Sequence, residues 1–318
     1  MIISRRQFLK YCTVAAGAIG LTATDLLKLE NALAVNGALP VIWINGQSCT
    51  GCTVSLANTV YYATIQDLLL FGAPADSINL KVSETLMASM STQATQQADL
   101  TSSAFVLAVE GAIPTPDGYC TVGSYTGAAT ENMSDVVTYL GTHANCAAIL
   151  AIGTCASYGG IPGAAGNVTG AKGVLECLGP AYKKKIACIP GCPPNPNWIV
   201  GSIAYMLANN YKFPQLDNLR RPNAFYPGRL CNSCSRFGNN FIDYKKPDDI
   251  GNPALTDYCL KKVGCKGSKT KSDCPTKQWH SPGASVDGVN WCVGAGAPCQ
   301  GCTQNSFPDK MSPFHYIR

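Results

Sequence analysis

Charged residues are scarce in this sequence. Asp, Glu, Lys and Arg make up only 14% of its 318 residues, and the net charge is +5. That charge is too small and too scattered to indicate nucleic-acid binding, and the basic residues are not interleaved with aromatic ones. Beyond the N-terminal region, no segment approaches the about 20 apolar residues of a membrane-spanning helix. We therefore expect no nucleic-acid partner and no transmembrane anchor.

Histidine is rare, whereas cysteine is abundant. We interpret the three histidines, His143, His280 and His315, as surface or packing residues, while the 17 cysteines far exceed ordinary usage. A disulfide framework would be the usual explanation in an exported chain, but such scaffolds are typically short and poor in core residues. This chain carries the apolar runs of an ordinary α/β core. A disulfide framework therefore fits poorly.

The N-terminal residues match a twin-arginine export signal. Arg5 and Arg6 form the arginine pair, a short apolar stretch follows, and "ALA" at 32–34 provides a cleavage site. We predict that residues 1–34, including Cys12, are removed and that the mature protein is periplasmic. Because this route carries folded proteins, a metal cofactor can be inserted before export.

Apolar periodicity predicts that strands and helices alternate after the signal. Buried strands are predicted at 41–45, 104–109, 147–152 and 186–189, and helices at 54–70, 133–143 and 198–209. Such alternation indicates a parallel sheet covered by helices on both faces. The predicted fold class of this region is therefore α/β.

Cysteines follow three of these four strands. Cys49 and Cys52 come after the first, Cys155 after the third and Cys192 after the fourth, while Glu110 comes after the second. Loops at the carboxyl ends of parallel strands meet at one edge of the sheet, where open α/β folds bind ligands. We therefore expect these four cysteines to converge, with Glu110 beside them.

The chain changes character beyond about residue 210. Regular periodicity fades, and eight cysteines occur, namely Cys231, Cys234, Cys259, Cys265, Cys274, Cys292, Cys299 and Cys302. A segment of this composition cannot bury enough apolar surface alone, which indicates that inorganic groups hold it together. With the earlier four, these residues make three sets of four thiols. Tetrathiolate sites hold either zinc or an iron-sulfur cluster.

Several motifs follow one another in an order that is similar to one known family. After the signal come "CTGC", "VEGAIP", "GTCASYGG", "PGCPPNP", "GCKG" and "PCQGC" with "FPD". Together they resemble the small, electron-transferring subunit of nickel-iron hydrogenases over essentially the whole chain. The resemblance implies a flavodoxin-like parallel sheet domain at 35–209 and an irregular, iron-sulfur-cluster-rich C-terminal domain at 210–318.

The resemblance also implies the ligands of three clusters. A proximal cluster, facing the nickel-iron site of a separate large subunit, would be held by Cys49, Cys52, Cys155 and Cys192. A medial cluster would be held by Cys274, Cys292, Cys299 and Cys302. A distal, surface-facing cluster would be held by Cys231, Cys234, Cys259 and Cys265.

Two positions depart from the pattern of many relatives. Cys231 stands where many have histidine, and Cys292 follows Trp291 where many have a proline and a three-iron medial cluster. A fourth thiolate permits four irons, as in the nickel-iron-selenium branch. We therefore predict three [4Fe-4S] clusters, all ligated by cysteine.

Four further positions bear on mechanism. Oxygen-tolerant relatives add cysteines around the proximal cluster, whereas this chain has Gly51 and Gly160 there. We therefore expect no modified, oxygen-tolerant cluster. Ser48 stands where many relatives carry an acidic proton-relay residue, which puts that relay position in doubt, whereas Thr50 matches the other relay position.

Four cysteines lie outside the three sets, and these are Cys120, Cys146, Cys177 and Cys188. A free cysteine behaves as a small hydrophobic residue and is often buried. We interpret all four as structural.

The segment around the predicted distal site is basic. Its lysines are Lys245, Lys246, Lys261, Lys262, Lys266, Lys269, Lys271 and Lys277, and they face only Asp248, Asp249, Asp257 and Asp273. A merely solvated face is one explanation. Alternatively, the lysines surround the electron exit and steer an acidic carrier.

The resemblance implies the reaction H2 ⇌ 2 H⁺ + 2 e⁻. The chemistry would belong to the large subunit, and this chain would pass electrons to an external carrier such as a multihaem cytochrome c or an acidic carrier. Two other classes remain open. One is an electron carrier or quinone-oxidoreductase-type subunit, and the other is a secreted binding module stabilised by zinc or disulfides.

Overall fold

The computed structural model describes most of the chain beyond the predicted signal. The described residues are 39–59, 78–83, 85–86, 100–125, 130–243, 245–246, 249, 252–279 and 289–315. The predicted signal peptide, His280 and residues 60–70 of one predicted helix lie outside these ranges.

Five parallel strands form the central sheet. They are β1 (Leu39–Asn45), β2 (Ile78–Ser83), β3 (Phe105–Glu110), β6 (Cys146–Ile152) and β7 (Ile186–Ile189), in the spatial order β2-β1-β3-β6-β7. Two short strands, β4 (Thr121–Val122) and β5 (Glu131–Asn132), make a separate antiparallel pair. Counted in chain order within the sheet, the arrangement is 2-1-3-4-5, which is the flavodoxin-like order. The predicted α/β fold class is confirmed.

The strand register aligns the ends of four neighbouring strands, β1, β3, β6 and β7. Asn45 pairs with Glu110, Glu110 with Ile152, and Ile152 with Ile189. These residues therefore form one row across the carboxyl edge of the sheet. The loops that follow these strands therefore begin side by side along one edge of the sheet, which brings their side chains within reach of one another.

Within the described ranges, two of the three predicted helices are confirmed with slightly different ends, the first differs in its bounds, and three short helices were not predicted. They are α1 (Gly51–Ala57), α2 (Met133–Thr142), α3 (Gly153–Tyr158), α4 (Val174–Leu178), α5 (Pro196–Ala208) and α6 (Cys274–Lys277). The pattern predicts the first helix at 54–70, but it begins at Gly51, because Thr50 adopts a left-handed conformation (φ 58°) and turns the chain there. It ends at Ala57, and Asn58 is its C-cap, so the predicted single helix to residue 70 is wrong. Cys52 consequently lies in the first turn of α1.

The sheet buries alternate side chains on its two faces. On one face Val41, Trp43, Val106, Ala108, Leu150 and Ile152 pack with residues of α5. On the other face Ile42, Ile44, Leu107, Val109, Ile149 and Ala151 pack with residues of α2. Strand residues are thus buried on both sides, which explains why the strands appear in the sequence as continuous apolar runs.

The C-terminal region is irregular, as predicted. Besides α6 it contains short 3-10 helices at Leu230–Ser233, Pro253–Leu255, Leu260–Val263, Gly267–Lys269 and Asp309–Met311. A small core of Leu230, Ile242, Leu260, Val263, Trp291, Val293 and Cys299 lies between them. None of the helices in the described ranges has the length and apolarity needed to cross a membrane.

Candidate metal centres

Four cysteines lie together at the carboxyl edge of the sheet. Cys49 and Cys192 are exposed, Cys155 is half-buried and Cys52 is buried. Burial raises the pKa of the Cys52 thiol well above its usual value, and the neighbouring charges of Glu110, Cys155, Cys49 and Cys192 raise it further. The four thiols therefore lie near one another, and we call them the first sulfur set.

Glycines leave space beside three of these sulfurs. A Cβ atom on Gly51 would lie 3.1 Å from Sγ of Cys49, one on Gly153 would lie 2.5 Å from Sγ of Cys52, and one on Gly160 would lie 2.8 Å from Sγ of Cys155. Gly153 and Gly160 also have positive φ angles, of 83° and 55°. Glycine is therefore needed at both positions for its backbone conformation and for its lack of a side chain.

The carboxylate of Glu110 holds the first loop in place. Glu110 is 0% exposed and accepts hydrogen bonds from the backbone N–H groups of Cys52 (3.1 Å) and Thr53 (3.0 Å). The Ser48 hydroxyl (2.8 Å), the Trp43 indole N–H (3.2 Å) and the Thr53 hydroxyl donate to it as well. A buried carboxylate with this many donors is fully compensated and fixes the orientation of Cys52.

The four cysteines of the distal set surround one cavity. Cys231, Cys234, Cys259 and Cys265 all line a space of about 230 Å³. A single water-sized sphere needs only about 10–15 Å³. Burial raises the pKa of Cys231 to about 11, with further contributions from Cys265, Cys234 and Cys259. Four thiols thus surround a space that is much larger than one ion requires.

The remaining four cysteines of the C-terminal region form a third group. Burial raises the pKa of the Cys274 thiol well above its usual value, and the neighbouring charges of Asp273, Cys302 and Cys299 raise it further. Burial likewise raises the pKa of Cys302, with Cys299 and Cys292 contributing. Cys274, Cys292, Cys299 and Cys302 therefore lie within electrostatic range of one another, and we call them the medial set.

The medial set connects the other two. The Thr154 hydroxyl, one residue before Cys155 of the first sulfur set, donates to the carbonyl oxygen of Cys302. The backbone N–H of Cys299 donates to Sγ of Cys265, in the distal set, at 3.3 Å. The three sets therefore form a row in the order first, medial and distal, which begins at the edge of the sheet.

The space around the thiols fits clusters better than single ions. All sixteen described cysteines are free thiols. Across the described ranges, no three Cys, His, Asp or Glu side chains come close enough together to hold one metal ion. Zinc, with zinc-sulfur distances of about 2.3 Å, would need its sulfurs about 3.8 Å apart. The cavity of the distal set and the glycines beside the sulfurs leave room for a cluster of several metal atoms.

Where the structure describes them, the remaining cysteines and His143 have packing roles, whereas His315 is exposed. Cys146 and Cys188 lie in the core between the sheet and α2, and Cys120 and Cys177 pack against it. Burial raises the pKa of Cys188 to about 12, so its thiol stays protonated and inert. His143 packs against Phe105, with ring centroids 6.0 Å apart.

The roles of three residues near the sulfur sets were not anticipated from the sequence. Gly153 lies beside Sγ of Cys52, and Gly267 lies beside Sγ of Cys231. In the sequence, the only indication of these roles is that each glycine is close to a cysteine motif. Asp273, predicted as one of the acidic residues facing the lysines, is instead buried and accepts a hydrogen bond from the Trp198 indole at 2.8 Å. Burial raises its pKa to about 7. No local pattern signals this contact, because 75 residues separate the partners.

Comparison with known proteins decides the family. Residues 49–206 match the model described as NADH ubiquinone oxidoreductase, 20 Kd subunit, and residues 226–315 match the C-terminal model of the NiFe/NiFeSe hydrogenase small subunit. The chain is 34% identical to the periplasmic [NiFeSe] hydrogenase small subunit of Desulfomicrobium baculatum, over 99% of each chain. The chain belongs to the nickel-iron hydrogenase small-subunit family.

Other relatives of this hydrogenase small subunit agree. The periplasmic [NiFe] hydrogenase small subunit of Solidesulfovibrio fructosivorans is 35% identical, over 98% of this chain and 93% of its own. A solved structure of Dm. baculatum [NiFeSe]-hydrogenase superposes with a TM-score of 0.70 at 34% identity, covering 88% of this chain and 99% of that one. The recombinant [NiFeSe] hydrogenase from Desulfovibrio vulgaris Hildenborough gives 0.71 at 33% identity, with coverages of 88% and 98%.

Proposed function

We propose that this hydrogenase small subunit holds three [4Fe-4S] clusters, one in each sulfur set. The first sulfur set would hold the proximal cluster, and the other two sets would hold the medial and distal clusters. The observation that carries this proposal is the row of three four-cysteine groups, linked through the contacts of Cys302 and Cys299. We also propose the domain boundary between residues 209 and 210.

The proposed role is electron conduction for the reaction H2 ⇌ 2 H⁺ + 2 e⁻. When bound, iron-sulfur clusters supply one-electron transfer at potentials set by ligands, hydrogen bonds and solvent exposure. The nickel-iron site would lie on a separate large subunit next to the first sulfur set. An external carrier would receive the electrons beyond the distal set, and the row of sulfur sets gives the chain a direct route between these two ends.

The chain's own residues stabilise thiolate charge along this route. The Ser272 hydroxyl donates to Sγ of Cys274 at 3.0 Å, and the Cys299 N–H donates to Sγ of Cys265 at 3.3 Å. Hydrogen bonds to sulfur favour the charged form of the ligand and raise the reduction potential of a cluster. Ser272 and the Cys299 amide would therefore tune the medial and distal potentials.

We place the large subunit against the edge of the sheet that carries the first sulfur set. Cys49 and Cys192 are exposed at this edge. Val54 in α1 and the nearby Ile161 and Val168 are exposed as well. Obligate interfaces are large and apolar, so these side chains fit a permanent partner. Like its relatives named periplasmic, the heterodimer would act in the periplasm, after export of this chain by the twin-arginine signal at 1–34.

Ser48 and Thr50 have different surroundings at this edge. The Ser48 hydroxyl donates to the buried Glu110, so it holds the loop. The Thr50 hydroxyl donates to the Cys49 carbonyl at 2.7 Å and is exposed. Of the two relay positions, Thr50 is therefore the one that we propose for proton transfer towards the large subunit.

The number of irons in the medial set tests the proposal. We expect Cys292→Pro to remove the fourth thiolate, so that the oxidised heterodimer gains the electron paramagnetic resonance signal of a three-iron cluster. Because one negative ligand is lost, the medial reduction potential should rise by on the order of 100 mV.

Cys177→Ser is the matched control for this substitution. Cys177 lies outside the three sets and packs against the core beside α2, so its loss should change neither the signal nor the potential. If Cys292→Pro also left both unchanged, Cys292 would not be a ligand, and a medial [4Fe-4S] cluster would be rejected.

A further inference from the structure

A groove with lysine walls opens directly over the distal set. Its volume is about 610 Å³, and it is lined by Phe241, Lys261, Lys262, Cys265, Lys266, Ser268 and Lys269. We call it the lysine groove. Phe241, Lys261, Cys265 and Ser268 also line the cavity of the distal set. The floor of the groove is thus one wall of the sulfur site.

The charge of the groove is strongly positive. Lys261, Lys262 and Lys269 are exposed. Lys262 forms an ion pair with Asp243 at 3.4 Å, but both side chains are partly exposed, so this pair is weak. Within the described residues, neither Lys261 nor Lys269 has a carboxylate within 4.0 Å. The positive charges of Lys261 and Lys269 are therefore available to an incoming molecule, and that of Lys262 is only weakly compensated.

Two exposed aromatic side chains lie at the same place. Phe237 is 58% exposed and Phe241 is 42% exposed, and both line the cavity of the distal set. Nζ of Lys262 lies 5.4 Å from the centre of the Phe241 ring. Apolar side chains surrounded by charged ones are the usual anatomy of a protein-protein interface. A small anion would need the lysines but not the phenylalanines.

We propose that the lysine groove is the docking site of an acidic protein that carries one electron at a time. The carrier's carboxylates would face Lys261, Lys262 and Lys269, and its apolar contact would cover Phe237 and Phe241. This inference rests on the proposed function, because it needs electrons to arrive at the distal set. In each encounter the enzyme loses one electron and the carrier gains one, so oxidation of one H2 reduces two carriers.

The lysines act mainly on the rate of encounter. Complementary charge raises association rates by about 10-fold to 1,000-fold at low salt. At about 0.15 M salt the screening length is about 8 Å, so the advantage shrinks as salt is added. We therefore attribute the preference for an acidic carrier to the lysines, and the close contact with the bound carrier to Phe237 and Phe241.

Charge reversal in the purified heterodimer tests the docking site. Lys262→Glu with Lys269→Glu changes two residues that line the groove but not the cavity of the distal set. With an acidic [2Fe-2S] ferredoxin as the probe, we expect kcat/KM at low salt to fall about tenfold, and the difference to disappear at high salt.

The matched control reverses two lysines elsewhere. Lys183 and Lys184 are exposed on the 3-10 helix Pro180–Lys185. This helix comes directly before β7, so it lies at the amino edge of the sheet, opposite the edge that carries the first sulfur set. Lys183→Glu with Lys184→Glu makes the same change in net charge, so unchanged ferredoxin kinetics here would assign the loss to the groove. Equal kinetics in both double variants would overturn the docking site.

Two further measurements separate the possible failures. Isotope exchange between H2 and D2O needs no electron exit, so it should be unchanged in both variants, and its absence from the wild-type heterodimer would reject the proposed function itself. In the wild type, kcat/KM for ferredoxin should fall as salt rises. A wild-type preference for a basic cytochrome c over ferredoxin at low salt would overturn the acidic carrier.

Discussion

Gly153→Ala is expected to abolish cluster binding in the first sulfur set. The new Cβ atom would lie 2.5 Å from Sγ of Cys52, and the residue would have to keep a φ angle of 83°. The backbone strain alone costs about 1–2 kcal/mol, but the contact with sulfur requires Cys52 to move away from its three partners. Acid-labile sulfide per heterodimer should fall by about one third, because one of three clusters is lost.

Gly166→Ala separates the two causes of this effect. Gly166 has the same φ angle of 83°, but a Cβ atom there would meet nothing within 4 Å. We expect this variant to carry the backbone strain and keep its full sulfide content. Equal sulfide content in the two variants would show that Sγ of Cys52 does not need the space beside Gly153.

Glu110→Gln should produce the second large effect. Whichever way the new amide turns, its NH2 group faces the backbone N–H of Cys52 or that of Thr53, and one buried donor loses its acceptor. We expect a loss of stability of about 3 kcal/mol, since an unpaired buried donor costs about 1–3 kcal/mol and the remaining hydrogen bonds lose their charge assistance. The first sulfur set should then lose its cluster at a lower temperature.

Glu176→Gln is the control for the charge change. Glu176 is exposed and forms a weak ion pair with Lys172, at 4.0 Å, so its stability effect should stay within about 0.5 kcal/mol. Both variants would be heated under the same conditions while iron release and circular dichroism are followed. If Glu110→Gln behaved like Glu176→Gln, the buried carboxylate would have no part in holding the loop of Cys49 and Cys52.

The sheet could be predicted from the sequence because its strands are local patterns. The apolar runs at β1, β3, β6 and β7 identify strands, and parallel topology then places Cys49, Cys52, Cys155 and Cys192 at one edge. The edge strand β2 (Ile78–Ser83) was missed, although its alternation of Ile, Leu and Val with polar residues is typical of a strand. Alternation over six residues is a weaker signal than a continuous apolar run.

Long-range contacts could not be predicted from the sequence. Glu110 could be placed beside the first sulfur set, but its bonds to Trp43, Cys52 and Thr53 depend on the register between β1 and β3. The order of the three sets depends on contacts such as that of Cys299 with Cys265, 34 residues apart. In the absence of regular elements around these cysteines, spacing alone groups them but does not arrange them in space.

The spatial arrangement of the lysine-rich segment could not be predicted from the sequence either. Of the eight lysines noted in the sequence, Lys261, Lys262, Lys266 and Lys269 line the groove over the distal set. Lys266 is largely buried there, whereas Lys277 lies on α6 beside the buried Asp273. A basic stretch in the sequence therefore becomes a docking surface only where the fold turns its side chains to one side.

Counting the irons of the small subunit tests the central claim most directly. The heterodimer, labelled with ⁵⁷Fe and purified with its large subunit, would be examined by Mössbauer spectroscopy together with total iron and acid-labile sulfide. We predict about twelve sulfide-bridged irons per small subunit, all in cubane clusters and divided among three sites. Iron that accounts for two clusters only, or zinc without sulfide, would contradict the assignment of one [4Fe-4S] cluster to each sulfur set.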